Sequence, residues 1–200
     1  MKRYSRNAQL AAVLLALAMA VSAAAGSRTD KLSAIAIKNF GCVNENYYRG
    51  AQPQKQDYAS LASLGIKTVV DLQRDGEANE MQMVESKGMK FFRLEMTTTD
   101  RPDPRTVSQF LNIVNDPANQ PVFVHCHGGR HRTGVMTAIY RLTHDDWTAD
   151  RAFAEMKKYE FGKGFGHGPL RDYVYDYFAG FERQNHGDRA GSGAMVRSKN

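Results

Sequence analysis

The sequence predicts a single α/β domain in which helices flank a central, mostly parallel sheet. Between residues 40 and 182, short runs rich in β-branched and aromatic side chains alternate with segments of helical periodicity, which is typical of a sheet covered by helices. The 200 residues are 42% apolar, 24% charged and 10% aromatic, as in one globular domain. With only two cysteines, Cys42 and Cys126, the chain is not a disulfide-stapled miniprotein.

The individual strands and helices follow from this alternation. The predicted strands cover residues 42–49, 66–72, 89–96 and 121–125. The predicted helices cover residues 54–64, 77–87, 104–114, 133–142, 148–159 and 169–181. Gly65 and Gly88 stand where a helix must end. Pro104 suits a first helical turn because that position needs no amide hydrogen, and Thr148 suits an N-cap.

The positive charge of the chain lies at its two ends. The formal net charge is +6, from 27 basic and 21 acidic side chains. Residues 1–25 hold three of the basic residues and residues 183–200 hold four basic and one acidic residue, which leaves 20 of each sign in residues 26–182. Because the folded part is neutral, we expect no nucleic-acid partner. Residues 186–200 are expected to form a flexible basic tail.

The N-terminus has the pattern of a bacterial secretory signal. Three basic residues among the first six precede an apolar run over residues 10–21, and an A-x-A pattern follows at residues 23–25. A helix of this apolar run spans about 18 Å, which is too short for a hydrocarbon layer of roughly 30 Å. We therefore expect residues 1–25 to be cleaved, and the mature protein to be periplasmic or secreted with no stable membrane span.

Residues 125–134 carry the most informative pattern in the chain. They read His-Cys-His-Gly-Gly-Arg-His-Arg-Thr-Gly and lie between an apolar strand and a helix. Successive backbone N–H groups in such a loop, together with the N-terminus of the helix, bind a dianionic group through hydrogen bonds and the helix dipole. Gly128 and Gly129 are expected to permit the tight curvature that this binding needs.

Three side chains in this stretch have chemistry that suits a phosphoryl group. The N–H groups that bind an anion also favour the thiolate form of Cys126, which would make it a nucleophile. Arg132 can fold back and present a planar fork to two phosphoryl oxygens. Thr133 can donate a hydroxyl hydrogen bond to the sulfur as it leaves. The pattern therefore predicts nucleophilic catalysis on phosphorus.

The Cys-x5-Arg-Thr pattern preceded by His resembles the protein tyrosine phosphatase superfamily, and the short flanking segments resemble its dual-specificity branch. The similarity in organisation covers residues 42–182. It includes residues 47–53, Tyr-Tyr-Arg-Gly-Ala-Gln-Pro, which resemble a stretch near the start of atypical members from bacteria, plants and fungi. The resemblance implies a dual-specificity-phosphatase-like fold, a phosphatase domain over residues 26–185, and no metal or organic cofactor.

The resemblance also implies roles for individual residues. His125 would be a structural hydrogen-bond partner that supports the nucleophile. The residues that would bind the substrate phosphate are His127, Gly128, Gly129, Arg130, His131 and Arg132. Cys42 is expected to be buried in a strand. Some relatives protect the nucleophile with a second cysteine, and whether Cys42 pairs with Cys126 stays open.

The leaving oxygen needs a proton, so the mechanism requires a general acid on a loop that faces the nucleophile. Residues 97–104 contain the candidates. Asp100, followed four residues later by Pro104, fits the dual-specificity pattern. Asp103 is the alternative acid. Either carboxylate taken alone also suits the first turn of the helix that begins at Pro104.

The predicted reaction is hydrolysis of a phosphate monoester through a cysteinyl-phosphate intermediate. A phosphorylated protein, as for a tyrosine or dual-specificity phosphatase, is the first substrate class. A phosphoinositide, inositol polyphosphate or inositol pyrophosphate is the second, because His127, Arg130 and His131 form a basic rim similar to the loops of phosphatases for those compounds.

Two readings from other classes stay open. A rhodanese-type sulfurtransferase also places a cysteine in an anion-holding loop, and a catalytically inactive phosphate-binding module would retain the loop without turnover. A zinc site at Cys126 and its neighbouring histidines is not expected, since adjacent residues project in divergent directions. The oligomeric state stays open.

Overall fold

The computed structural model describes residues 29–164 and 166–196. The predicted signal segment, residues 1–25, lies outside the described residues, and its cleavage stays a prediction. The chain divides into two compact units, Met1–Ala36 and Ile37–Asn200. In the first unit, residues 29–33 are helical. The second unit contains every element considered below.

In the described part of the chain, five strands form one sheet of order β1-β2-β5-β3-β4. The strands are β1 Gly41–Asn44, β2 Tyr47–Ala51, β3 Thr68–Gln73, β4 Lys90–Met96 and β5 Val122–Cys126. β1 is antiparallel to β2, whereas β2, β5, β3 and β4 are mutually parallel. The arrangement confirms the predicted α/β class with a mostly parallel sheet, and β5 lies at its centre.

The helices lie between and after these strands. They are α1 Asp57–Leu64, α2 Glu80–Glu85, α3 Pro104–Asn115, α4 Arg132–His144, α5 Ala149–Lys158 and α6 Gly168–Val196. Pro104 occupies the first turn of α3, and the Thr148 hydroxyl caps α5 by accepting a hydrogen bond from the Arg151 amide at 3.3 Å. Gly65 ends α1 with φ of +95°. These predicted helix boundaries are confirmed.

Several predicted boundaries are wrong. The first predicted strand, residues 42–49, is two strands, because the Asn44 side chain accepts a hydrogen bond from the Asn46 amide at 2.9 Å and turns the chain. α1 and α2 each begin three residues later than predicted. α6 continues beyond residue 181 to Val196, so residues 186–196 have a helical backbone. The flexibility of that tail in solution stays a prediction.

The two faces of β5 explain where the functional residues lie. Val122, Val124 and Cys126 pack into the main hydrophobic cluster, together with residues of α3, α4, α5 and α6. Phe123 and His125 point to the opposite face, because successive side chains of a strand alternate. Cys126 and His125 are therefore adjacent in the chain but lie on opposite sides of the sheet.

Within the described residues, no helix is both long enough and apolar enough to cross a membrane.

Candidate active site

The loop between β5 and α4 lies at the carboxyl edge of the central strand. β5 ends at Cys126 and α4 begins at Arg132, so residues 127–131, here called the anion loop, connect them. In open α/β sheets this edge is where ligands bind. A cavity of about 150 Å³ opens there, and the residues lining it are Thr98, Cys126, His127, Gly128, Arg130, His131 and Arg132. The structure thus brings together the predicted nucleophile, the predicted arginine and most of the loop.

Three successive carbonyl groups of the anion loop are held from outside. The His127 carbonyl accepts a hydrogen bond from the Gln52 amide at 3.3 Å. The Gly128 carbonyl accepts one from Asn39 Nδ2 at 2.7 Å, and the Gly129 carbonyl accepts one from Arg49 Nη2 at 2.6 Å. In a planar trans peptide the N–H points opposite to the C=O. The amides that follow these carbonyls are therefore directed away from the supports and toward an anion.

The curvature of the anion loop depends on one glycine rather than two. Gly129 has φ of +64°, and a Cβ there would lie 2.5 Å from the carbonyl carbon of Gly50. Gly128 has room for a side chain, since a Cβ there would meet Arg130 only at ordinary contact distance, 3.6 Å. The sequence-based assignment of the turn to both glycines is therefore wrong for Gly128, although its place in the cavity lining is as predicted.

The side chains of the nucleophile region are buried. Cys126 is 2% exposed and Arg132 is 7% exposed. Arg132 Nη1 donates a hydrogen bond to the Met96 carbonyl at 3.3 Å and lies 3.7 Å from Asp75 Oδ1. The Thr133 hydroxyl is buried and has no hydrogen-bond partner among the described residues. The contact with Met96 holds the Arg132 guanidinium at the cavity wall.

A second cavity of about 240 Å³ adjoins the first. Its lining residues are Arg74, Asp75, Met96, Thr97, Thr98, Thr99, Asp100 and Arg132. Thr98 and Arg132 line both cavities. Apart from Met96, these side chains are polar or charged. The two cavities are thus two parts of one polar cleft around Arg132.

The structure separates the two candidate acids. Asp100 lines the cleft, where its Oδ2 accepts a hydrogen bond from the Thr97 hydroxyl at 2.7 Å. Asp103 is the N-cap of α3, and its Oδ1 accepts a hydrogen bond from the Arg105 amide at 2.7 Å. Asp103 thus has the helix-terminal role. Its position does not support the alternative acid assignment, whereas the role of Asp100 as the acid stays a prediction.

Two charged residues of the cleft were missed by the sequence analysis. Arg74 and Asp75 follow β3, which ends at the same sheet edge as β5. Their proximity to Arg132 depends on the pairing of β3 with β5. Their position directly after a buried apolar strand could have identified them from the sequence. Functional side chains often lie at the carboxyl edge of a parallel sheet.

The predicted basic rim carries less positive charge than its residues suggest. Arg130 Nε lies 2.9 Å from Glu160 Oε2. Hydrogen bonds from Lys163 and Asn39 lower the pKa of Glu160 to about 2, so this carboxylate is charged. His131 stacks on His167 with ring centroids 3.5 Å apart.

The protonation of His131 further reduces the charge of this rim. Burial, reinforced by His167, Arg130 and Arg132, lowers the pKa of His131 to about 4. His131 Nε2 accepts a hydrogen bond from the Gly162 amide at 3.3 Å. His131 is therefore neutral at pH 7 and, contrary to the expectation from sequence, adds no positive charge to the rim.

His125 lies in a buried polar network behind the sheet. Its Nε2 is 2.9 Å from Glu80 Oε1, and its Nδ1 is 3.9 Å from Asp71 Oδ1. Glu80 Oε1 also accepts hydrogen bonds from the Tyr58 hydroxyl and from Gln52 Nε2, both at 2.8 Å. Burial would raise the pKa of Glu80, but the contacts with His125 and Tyr58 hold it below its usual value. Burial raises the pKa of Asp71.

Asp71, Glu80 and His125 also offer three potential metal ligands within 4.8 Å of one another. Arg93 already contacts both carboxylates, with Nε donating to Asp71 at 2.8 Å and Nη2 lying 3.4 Å from Glu80. A cation here would repel that guanidinium. The donor set therefore fits an ionic network better than a metal site.

The two cysteines are free thiols in the structure. Cys42 is exposed on the edge strand β1, so its predicted burial is wrong. It pairs with Tyr48, which in turn pairs with Phe123, three residues before Cys126. Two strand spacings and three residues of rise separate the cysteines by about 14 Å, whereas a disulfide needs Cα atoms within roughly 7 Å. The fold therefore keeps Cys42 and Cys126 apart.

Comparison with known proteins agrees with this geometry. Residues 34–177 match the profile of the tyrosine phosphatase family. The chain belongs to this family, and it is a hydrolase of phosphate monoesters. The resemblance inferred from the Cys-x5-Arg-Thr pattern is confirmed.

Individual relatives carry several names within this class. OCA1 of Mycosarcoma maydis, by name a tyrosine-protein phosphatase, is 30% identical over 132 residues, which are 64% of this chain and 83% of that protein. The dual specificity protein phosphatase TpbA of Pseudomonas aeruginosa is 31% identical over 125 residues, 62% of this chain and 56% of that protein. The inositol diphosphatase SIW14 of Saccharomyces cerevisiae is 27% identical over 132 residues, 63% of this chain and 47% of that protein.

A solved structure shares the fold. The core catalytic domain of SIW14, a PP-IP phosphatase, superposes with a TM-score of 0.62 at 23% identity and covers 75% of this chain and 94% of that domain. At this identity the similarity shows the architecture, and it confirms the predicted dual-specificity-phosphatase-like arrangement of sheet and helices.

Proposed function

We propose that the protein hydrolyses its phosphorylated substrate through a cysteinyl-phosphate at Cys126. The observation that carries this proposal is that Cys126 and Arg132 line one small cavity, beneath a loop whose first three carbonyl groups are held outward. The sulfur attacks phosphorus in line, the S–P bond forms, and the bond to the leaving oxygen breaks. Water then attacks the phosphocysteine, and inorganic phosphate leaves.

The anion loop and Arg132 bind the three equatorial oxygens during both steps. The inward amides carry partial positive charge and need no reorganisation when the charge of the transition state develops. Arg132 supplies a planar pair of donors. The Thr133 hydroxyl, which is buried without a partner among the described residues, donates to the sulfur when the phosphocysteine breaks.

Asp100 supplies the proton. In the first step the protonated carboxyl gives its proton to the leaving oxygen, and in the second step the carboxylate takes a proton from the attacking water. Its position in the part of the cleft next to Arg132, rather than at a helix cap, supports this assignment.

The leading substrate class is that of a dual-specificity phosphatase, namely phosphate monoesters of protein side chains. A second class, inositol polyphosphates or pyrophosphates, is favoured by the polar second cavity. Among the residues that the structure describes, that cavity is lined by Arg74, Asp75, Met96, three threonines, Asp100 and Arg132, a lining that includes no aromatic ring. Hydroxyl-rich or phosphorylated leaving groups would hydrogen-bond there. The names of SIW14 and several plant relatives point to the same class.

The test is turnover of para-nitrophenyl phosphate, a phosphotyrosine peptide, inositol hexakisphosphate and a diphosphoinositol phosphate by the reduced full chain. We expect hydrolysis with trapping of phosphate on Cys126, and a loss of at least about 10³-fold in Cys126→Ser. The substrate with the highest kcat/KM decides between the two classes. Binding of phosphate without any turnover would instead indicate an inactive module, and turnover of thiosulfate would indicate a sulfurtransferase.

The export signal completes the proposal. The basic residues, the short apolar run and the A-x-A pattern in residues 1–25 support cleavage near Gly26 and a periplasmic or secreted location. Mass spectrometry of the protein recovered from fractionated bacterial cells would find an N-terminus near Gly26. The intact N-terminus in the cytoplasmic fraction would contradict export.

A further inference from the structure

We propose that Arg49 and Asn39 are positioning residues that hold the anion loop in its oxyanion-binding shape from the side away from the substrate. The inference rests on the proposed function, because it concerns how the same loop is kept ready for phosphate. Neither residue lines the cleft, so neither is expected to contact the substrate.

The environment of Arg49 is unusual for an arginine. Arg49 is 0% exposed, and it forms no ion pair with a carboxylate among the described residues. Its Nη2 donates to the Gly129 carbonyl at 2.6 Å, and its guanidinium stacks on the Tyr159 ring at 3.9 Å from the centroid. Burying a cation without a carboxylate partner carries a large desolvation cost. An apolar side chain would pack here without this desolvation cost, so packing alone does not explain the arginine. The buried guanidinium therefore points to a function in holding the Gly129 carbonyl.

The backbone next to Arg49 also contacts Gly129. Gly129 approaches the Gly50 backbone so closely that a Cβ on Gly129 would lie 2.5 Å from the Gly50 carbonyl carbon. β2 thus meets the anion loop through a backbone contact at Gly50 and a side-chain hydrogen bond from Arg49. Together these contacts determine the orientation of the peptide group between Gly129 and Arg130.

Asn39 acts on the preceding peptide group. Its Nδ2 donates to the Gly128 carbonyl at 2.7 Å and to Glu160 Oε2 at 3.4 Å. Asn39 has φ of +54° and Glu160 has φ of +64°, a backbone region that side-chain-bearing residues adopt infrequently. Glu160 Oε2 also lies 2.9 Å from Arg130 Nε. Two uncommon backbone conformations therefore meet beside one loop, as is common where a functional geometry is enforced.

These supports have a defined chemical consequence. With the Gly128 and Gly129 carbonyls turned outward, the amides of Gly129 and Arg130 point toward the bound oxyanion. If either support is lost, its peptide group can rotate and present a carbonyl oxygen, which repels phosphate. The loss should weaken binding of a tetrahedral oxyanion as well as turnover.

The test compares Arg49→Lys, Arg49→Met and Asn39→Ala with the control Arg141→Met. Arg141 is also largely buried and engaged, forming ion pairs with Asp145 at 2.6 Å and Glu155 at 2.8 Å and stacking on Trp147. It lies outside both cavities. The two readouts are the affinity for tungstate, measured by calorimetry, and kcat and KM for para-nitrophenyl phosphate, with Tm recorded for each variant.

For Arg49→Lys we expect tungstate affinity to fall about tenfold and kcat/KM to fall roughly 10²-fold, because one charge-assisted hydrogen bond is lost and the loop is misplaced. Asn39→Ala should show smaller losses of the same kind. Arg141→Met should lower Tm while binding tungstate within about twofold of the wild type. If Arg49→Met does not fold, Arg49→Lys still tests the claim.

The proposal is overturned if Arg49→Lys binds tungstate as the wild type does, or if Arg141→Met loses as much affinity at an equal loss of Tm. Failure of the proposed function has a different signature. In that case the wild-type protein binds tungstate without hydrolysing any phosphate ester, and the affinity difference between Arg49→Lys and Arg141→Met can still be measured.

Discussion

The cleft beside the anion loop and the buried network behind the sheet both consist of polar and charged groups, but they hold these groups differently. On the cavity side, Asp100 is hydrogen-bonded to its neighbour Thr97, and Asp75, 3.7 Å from Arg132, has a side chain that is 86% exposed. Behind the sheet, Glu80 is fully buried and accepts several hydrogen bonds. These two carboxylates of the cleft are lightly restrained, whereas Glu80 is tightly held.

This difference assigns separate tasks to the two sides. A buried network of hydrogen-bonded carboxylates specifies one arrangement, since another arrangement would leave a carboxylate unsatisfied in a low-dielectric interior. Groups that must engage and release phosphate cannot be held in that way. The two sides meet at β5, where His125 belongs to the network and the next residue, Cys126, faces the cleft. Gly76 packs directly against Asp71. The loop that carries Asp75 is therefore also in contact with the buried network.

The largest effect on stability is expected when one carboxylate of the buried network behind the sheet is removed. Glu80→Ala removes the carboxylate that lies next to His125 and accepts a hydrogen bond from Tyr58, and it leaves both buried groups without this partner. We expect the free energy of unfolding to fall by about 3–5 kcal/mol. The matched control is Glu85→Gln at the exposed end of the same helix, for which we expect less than about 0.5 kcal/mol. Urea unfolding measures both, and equal effects would contradict the distinction between the two sides.

A smaller effect, confined to activity, is expected on the cavity side. Asp100→Asn keeps the shape of the side chain and removes its proton, so kcat for an alkyl phosphate should fall by about 10² or more with little change in Tm. Asp103→Asn retains a good N-cap residue on α3 and should change kcat at least tenfold less. Equal, mild reductions in the two variants would refute the assignment of Asp100 as the acid.

The smallest effect concerns pH. The pKa of His131 is about 4 in the folded protein, below its ordinary value of 6.5. Between these values the unfolded chain binds more protons than the folded protein, so stability falls as the pH decreases from 6.5 toward 4. His131→Gln, which cannot titrate, should show a smaller decrease in Tm between pH 7 and pH 5 than the wild type. An identical decrease in both proteins would show that His131 does not contribute.

The predicted positions that the structure confirms share a local cause. The Cys-x5-Arg spacing places Cys126 at the end of a strand and Arg132 at the start of the following helix, with only the anion loop between them. The cap at Thr148 and the turn at Gly65 are likewise set by their nearest neighbours. The sequence does not distinguish Asp100 from Asp103 because both precede the same helix. Only the folded structure shows that Asp103 caps α3 and that Asp100 lines the cleft.

By itself, the sequence determined the class of fold and the positions of Cys126 and Arg132 on either side of the anion loop, because strand and helix periodicity and the short motif act over neighbouring residues. Only the tertiary structure decided how the anion loop is supported and what else enters the cleft. Arg49 meets Gly129 across 80 residues of sequence, and Asn39 meets Gly128 across 89. Asp75 reaches Arg132 through the pairing of β3 with β5. Contacts of this kind depend on the order of strands in the sheet, which no local pattern of residues encodes.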